Sequence, residues 1–478
     1  MKEQQNYHHI MEQSVAAFEL YKNINATTKA LFLESIANEI ELLGDLLIDT
    51  ASAETNLPAA RLIGERGRTT MQLRMFANML REGSWVDAVI DNDIRRMLIP
   101  IGPIIVFGAS NFPFAYSTAG GDTASALAAG CSVVVKAHPA HLQTSILVAN
   151  VIAKAISDNN LPTHIFQHIE DISFEAGKAL VQDPLTAGVG FTGSATGGYA
   201  LCKYASERKY PIPVFAEMGS VNPVVLLPDT LAKNGQTIAQ QYAASITLGM
   251  GQFCTNPGIL LAIESPALYS FLKTLAETID AVTPTKMLHQ GIADAYRTKQ
   301  QQALAQKGVE QINSFLHHTN IEMPIPIIAK VSGQDFLLNE LLHEEVFGPF
   351  SLVVCCKDEI ELKAVHQSLK GQLTTTIMGT DIDVSIFSSF ISDATNIAGR
   401  IVFNGVPTGV EVCNAMVHGG PSPASSDSRF TAVGINAVKR WVRPICFQNA
   451  PQYVLPDALK NENPLKIWRL QNNVFGKE

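Results

Sequence analysis

The sequence predicts an α/β fold built on parallel sheets, with a small β-ribbon element beside two larger units. Three observations carry that expectation. Short β-branched runs alternate with helical stretches rich in small residues, the first eighty or so residues follow a helical period, and two distant segments interleave charges with apolar residues.

Taken in order, residues 1–82 read as helical. Phe32, Ile36, Ile40, Leu43 and Leu47 recur at steps of three or four, which gives a helix an apolar face, and Pro58 and Gly83 punctuate the run. Beyond it, 104–107, 133–135, 189–191 and 224–227 read as strands, and 123–129, 142–156, 195–206 and 238–248 as helices between them. A second alternating region runs from about Pro223 to Phe430, with strands near 258–263, 350–355 and 400–404. Residues 85–101 (with DAVIDNDIRRMLIPI) and the tail from Lys439 onward, with Trp441, Ile445 and Phe447, read as exposed ribbon suited to pairing and to reaching a partner subunit. The expected units are therefore 1–84 with 102–220, then 221–430, with 85–101 and 439–478 as a bridging and oligomerisation element.

Composition narrows the function classes. The 478 residues are 46% hydrophobic and 17% charged, which excludes a wholly disordered chain. Lys and Arg number 35 against 44 Asp and Glu, a net charge of −9 with no basic stripe, so neither nucleic acid nor an anionic membrane is an expected partner. The run 97–109 is broken by Pro100, Gly102 and Pro103 and is too short to span a bilayer, and MKEQQNYHHI has no apolar core of a signal peptide. Seven cysteines are scattered, without zinc spacing; no metal and a reduced, cytoplasmic setting are expected.

A few residues stand out chemically. Cys254 in GMGQFCTNPG sits among glycines that let backbone approach a ligand, although a single cysteine also serves as a small buried hydrophobe. Glu217 in VFAEMGSVNP follows an apolar strand, where burial would raise its pKa toward a general base; a solvated strand end is the plain alternative. In IIVFGASNFPFAYS the strand ends in a loop of the kind that binds ligands at the carboxyl edge of a parallel sheet. Asn111 there has an amide to offer a developing oxyanion, or simply tolerates a turn. Lys136 in VVVKAHPAH, and Gly193 and Ser194 in VGFTGSATGG before an apparent helix, suit a ribose and a phosphate. Glycine packing and a solvated lysine explain them equally well.

Together and in this order, GASNFPFAYS, VVVKAHP, FTGSATGG, FAEMGSVNP, GQFCTNPG and EEVFGPF resemble the aldehyde dehydrogenase superfamily over roughly residues 15–450. AGGDTASALAAGCSVVVKAHPAH and HGGPSPASSDSRFTAVGINAVKRWVRPICFQ are similar to its α-ketoglutaric semialdehyde (2,5-dioxovalerate) dehydrogenase branch. The resemblance implies two Rossmann-like parallel-sheet domains, one for cofactor and one catalytic, and a homodimer or homotetramer. It implies Cys254 as nucleophile, Glu217 as the base that activates the deacylating water, and Asn111 with the Cys254 N–H as oxyanion hole. Lys136 would contact the adenine ribose, Gly193 and Ser194 the pyrophosphate, Glu345 the nicotinamide ribose and Phe347 the nicotinamide.

The family's ribose-binding glutamate, three residues after the lysine, is Pro139 here, so NADP is placed ahead of NAD, with His138 or His141 available to a 2′-phosphate. A dicarboxylate semialdehyde needs a cation for its acid end, and Arg66, Arg68 and Arg74 are the candidates, with Phe112 and Phe114 as tunnel walls or core. The expected reaction is NAD(P)⁺-dependent oxidation of α-ketoglutaric semialdehyde to 2-oxoglutarate. A medium- or long-chain aliphatic aldehyde is the alternative substrate, and a non-catalytic binding protein on the same scaffold the alternative of another class.

Overall fold

The computed structural model describes residues 6–314 and 323–477. Helices Tyr7–Tyr21, Ala26–Leu42, Gly44–Thr55 and Ala59–Glu82 open the chain. Their period buries Phe32, Ile36, Ile40 and Leu47 in the largest apolar core, whereas Leu43, at a junction of two helices, is only partly covered. Pro58 is the N-cap of the fourth helix, and Gly83 ends it at φ 83°, a conformation that glycine adopts without strain.

The first sheet orders five parallel strands as Phe166–Ile169, Val133–Lys136, Ile104–Phe107, Gly188–Thr192 and Val214–Glu217. Ile104–Phe107 comes first in the chain and lies in the middle, so the direction of winding reverses beside it. Such a switch point opens a crevice at the carboxyl edge of the strands, where Asn111 follows one central strand and Gly193 the other.

The second sheet has the order Glu310–Gln311, Ile327–Ser332, Phe350–Cys356, Ile259–Ile263, Val224–Leu226, Gln372–Met378 and Ala398–Phe403, parallel except at its 310–311 edge. Its central strands Ile259–Ile263 and Phe350–Cys356 are buried on both faces because apolar clusters with helices cover both. Phe166–Ile169, Ile327–Ser332 and Gln372–Met378 were not singled out by pattern; polar residues such as Gln167, Lys330 and Thr374 to Thr376 mask them. The helix expected at 238–248 begins earlier, at Pro228, whose fixed φ suits a first turn.

The two ribbon-like segments meet. Val442–Gln448 pairs antiparallel with Ile94–Pro100 in a third, mixed sheet, completed by Val89–Asp91, Arg469–Gln471 and Val474–Gly476. Among the described residues, no helix is long and apolar enough to cross a membrane, and no group of His, Cys, Asp and Glu is arranged to hold a metal ion.

Candidate active site

Cys254 lies in the loop after helix Pro228–Thr247 and the turn Leu248–Gly251. Gly251 has φ 65°, and a Cβ there would run into the Gly348 carbonyl, so the glycine lets this loop close onto the 345–349 segment. Asn222, fully buried, ties the loop from below: its amide donates to the carbonyls of Ser220 at 3.0 Å, Cys254 at 2.9 Å and Asn256 at 2.9 Å. From the other sheet, Asn111 Nδ2 donates to the Gln252 carbonyl at 3.0 Å. The switch-point loop and the cysteine loop are thus joined by one amide, which has a second hydrogen left to donate.

Burial pushes the Cys254 thiol up to about 12, Glu345 and Glu217 add to that, and Arg68 and Arg400 oppose it. His418 Nε2 stands 3.6 Å from the sulfur. Burial, then the nearby Arg400 and Arg68, pull this imidazole down to about 3, so it is neutral and serves as a hydrogen-bond partner of the thiol. Glu217 ends strand Val214–Glu217, is buried, and has an Oε2 without a hydrogen-bond partner. Burial pushes its carboxyl well above the ordinary range, with Arg440 opposing and Asp122 reinforcing the shift.

The residues matched to a dinucleotide lie along the crevice. Lys136 ends its strand, mostly buried, its amine pulled down by burial and up by Asp171. Gly193 lacks the Cβ that would come 2.6 Å from the Phe191 ring, and Ser194 caps helix Ala195–Ser206 through the Gly197 N–H at 3.2 Å. A helix N-terminus preceded by a glycine is a fitting seat for pyrophosphate. Glu345 and Phe347 line one cavity with Ser220 and Phe253, and burial raises the Glu345 carboxyl to about 7. This donor set fits a nicotinamide dinucleotide.

His138 follows Lys136 in the turn before helix Leu142–Asp158. Its Nδ1 accepts from the Ala140 N–H at 3.1 Å and its ring stacks on His141. Burial, with His141, His289 and Lys136 nearby, pulls it down to about 3, leaving it uncharged.

Of the substrate candidates, Arg68 is brought to the site and Arg74 is not. Arg68 Nη2 donates to Tyr116 Oη at 2.8 Å, and its guanidinium lies over the Phe112 and Tyr116 rings. Arg74 instead grips Glu41 at 2.6 and 2.9 Å and Asn38 at 2.8 Å on the outer face of the helices. Arg66 donates to the Gly44 carbonyl, also between helices. Phe112 packs with Tyr116 and Phe253 at the site, whereas Phe114 belongs to the large core and its N–H is held by Glu65.

Sequence reasoning missed Arg61, Tyr116, His418 and Arg400. Arg61 donates to the Asn111 carbonyl at 2.6 Å and lies 4.9 Å from the Phe112 and Phe253 rings. Its position was legible: 61, 65 and 68 fall on one face of a helix, so Arg61, Glu65 and Arg68 point the same way. His418 stood in the quoted tail segment with nothing local to link it to a cysteine 164 residues earlier.

Cys254, the buried carboxyl of Glu217 and the Asn111 amide thus lie in loops and a strand end of the two parallel sheets. Residues 1–422 match the aldehyde dehydrogenase family, and the chain belongs to it. It is an NAD(P)-dependent aldehyde dehydrogenase. It is 46% identical over 467 residues to alpha-ketoglutaric semialdehyde dehydrogenase 2 of Azospirillum brasilense, covering 95% of this chain and 89% of the relative. It is likewise 46% identical over 472 residues to the alpha-ketoglutaric semialdehyde dehydrogenase of Acinetobacter baylyi, covering 96% and 89%. The fold is that of glyceraldehyde-3-phosphate dehydrogenase GapN from Methanocaldococcus jannaschii complexed with NADP (TM-score 0.78, 19% identity, 92% and 93% of the two chains). It is equally that of betaine aldehyde dehydrogenase from Staphylococcus aureus in complex with NAD⁺ (TM-score 0.80, 16% identity, 94% and 88%).

Proposed function

We propose that the enzyme oxidises α-ketoglutaric semialdehyde (2,5-dioxopentanoate) to 2-oxoglutarate, using NADP⁺ or NAD⁺. The observation that carries this reading is the pair of guanidiniums at the aromatic mouth of the site. Arg61 Nη1 and Arg68 Nε are buried and have no hydrogen-bond partner. The acid between them, Glu65, is spent on the N–H groups of Phe114 and Ala115, and burial raises its carboxyl. Buried cationic N–H groups without an anion are costly, and a substrate carboxylate supplies one. The names of the two relatives at 46% identity point to the same substrate. An uncharged fatty aldehyde would leave those N–H groups unpaired.

Cys254 sulfur attacks the aldehyde carbon, helped by Arg68 and Arg400, whose charges favour the thiolate. The oxyanion is received by the Asn111 amide and the Cys254 N–H. A bound nicotinamide dinucleotide would supply the hydride acceptor, and Lys136, Gly193, Ser194, Glu345 and Phe347 would hold it in place. The resulting thioester on Cys254 is hydrolysed by water, from which ionised Glu217 takes a proton. Pro139, where a carboxylate would repel a 2′-phosphate, supports use of NADP. The mixed sheet supports assembly into dimers or tetramers.

The test is to follow reduced cofactor with the semialdehyde and with octanal, each with NAD⁺ and NADP⁺, using Cys254→Ala as blank. A kcat/KM at least about tenfold higher for the semialdehyde, roughly 1.4 kcal/mol at the transition state, is expected. A preference for octanal would overturn the substrate assignment and leave the cysteine chemistry standing.

A further inference from the structure

Beneath Glu217 lies a buried ion pair that the steps above do not use. Arg440 Nη2 is 2.7 Å from Asp122 Oδ1, with the side chains 1% and 10% exposed. Sheet register puts the pair on the face that carries Glu217. Phe215 and Glu217 are two apart on one strand and so share a face, and the Phe215 ring meets Trp441, the neighbour of Arg440, edge-on at 5.3 Å. Across the sheet, Gly190 is the register partner of Phe215, and a Cβ there would stand 2.9 Å from Asp122 Oδ2 and 3.0 Å from the Trp441 ring. The strand is therefore bare at the one position where the pair rests on it.

The pair is held on its other sides as well. Arg440 lies over the Trp441 ring at 4.7 Å and donates from Nε to the Ala437 carbonyl at 3.2 Å, while Trp441 Nε1 donates to Ser125 Oγ at 2.7 Å. Asp122 sits in the first turn of helix Gly121–Ala129, where the helix dipole favours a negative charge. Arg440 Nη1 and Nη2 and Glu217 Oε2, by contrast, make no hydrogen bond, so Nη2 meets Asp122 as an ion pair only. Replacing a buried ion pair by apolar side chains is often neutral for stability, so fold stability alone is a weak reason for one beside a base.

We propose that the Arg440–Asp122 pair is the electrostatic partner of Glu217: the guanidinium favours the ionised carboxylate that hydrolysis of the thioester on Cys254 requires, and Asp122 offsets part of that pull. This rests on the reading of Glu217 as the water-activating base. The directions agree, since Arg440 draws the Glu217 carboxyl down and Asp122 pushes it up. The other titratable groups that feel Glu217 are Cys254 and Tyr116, and Arg68 acts on both of them.

The test uses stopped-flow appearance of reduced cofactor with any aldehyde the wild-type enzyme turns over, and the pH profile of kcat. Glu217→Gln is the reference, with a burst of one equivalent per site followed by slow turnover. Arg440→Met is expected to keep the burst, lose about tenfold in kcat, and move the acid limb up by about one pH unit. Arg440→Lys should restore most of both. Asp122→Asn should move the limb the other way, to lower pH, and this arm decides the matter if Arg440→Met fails to fold. An unchanged limb in the variants that fold, or shifts of the same sign, would overturn the proposal. Absence of a burst in Glu217→Gln would instead overturn the base assignment and, with it, the role of the pair.

Discussion

At the scale of single residues, the active site combines a thiol and two carboxyls whose burial disfavours their charged forms with cations that favour them. Glu217 shows the consequence for pH. In the folded protein its carboxyl holds a proton well above the range where an unfolded glutamate, at about 4.3, lets it go. Between those two values the folded state binds more protons than the unfolded chain, so stability falls as pH rises through that window. Glu217→Gln removes this loss: its Tm should exceed that of wild type above the window and match it at acid pH. The same variant should slow turnover by about 100-fold or more while hydride transfer stays fast. A Tm gain equal at all pH values would contradict the linkage.

At the scale of elements, the site depends on loops pinned by single polar side chains. Asn222 has φ 47° and satisfies three carbonyls at once. Asn222→Gly tolerates that φ but removes the two amide hydrogens that the three carbonyls share, and should cost about 1–3 kcal/mol, read as a lower urea midpoint, with slower alkylation of Cys254 by iodoacetamide. A midpoint and alkylation rate equal to wild type would contradict this. Gly190→Ala should be destabilising by about 1–3 kcal/mol because its Cβ meets Asp122 and Trp441, both held in place.

The elements themselves were legible where one physical signal dominated. Phe32 to Leu47 announce helices by period, and 104–107 and 133–135 announce strands by runs rich in β-branched residues. The site was legible in chain-local motifs, Cys254 among its glycines and Asn111 after its strand. His418, Arg440 and Asp122 were not, because each acquires meaning only from a partner distant in sequence. Arg74 shows the converse: an arginine in a suggestive stretch, turned outward by the helix period onto Glu41.

At the scale of the whole molecule, the mixed sheet presents apolar side chains to solvent: Val474 is 69% exposed and Phe475 66%. We propose that this sheet is a self-association surface. Phe475→Glu is expected to shift the mass seen by light scattering toward the single chain, and a mass equal to wild type would contradict that surface. The claim that binds residue, element and molecule together is that buried arginines on helix Ala59–Glu82 select an anionic aldehyde. The measurement that tests it most directly is the ratio of kcat/KM for 2,5-dioxopentanoate to that for pentanal, in wild type and in Arg61→Met and Arg68→Met. The expected result is a ratio well above one in wild type that falls by about 100-fold, roughly 2.7 kcal/mol, in at least one variant, the loss for 2,5-dioxopentanoate exceeding that for pentanal by that factor. A ratio near one in wild type, or equal losses for both aldehydes, would contradict it.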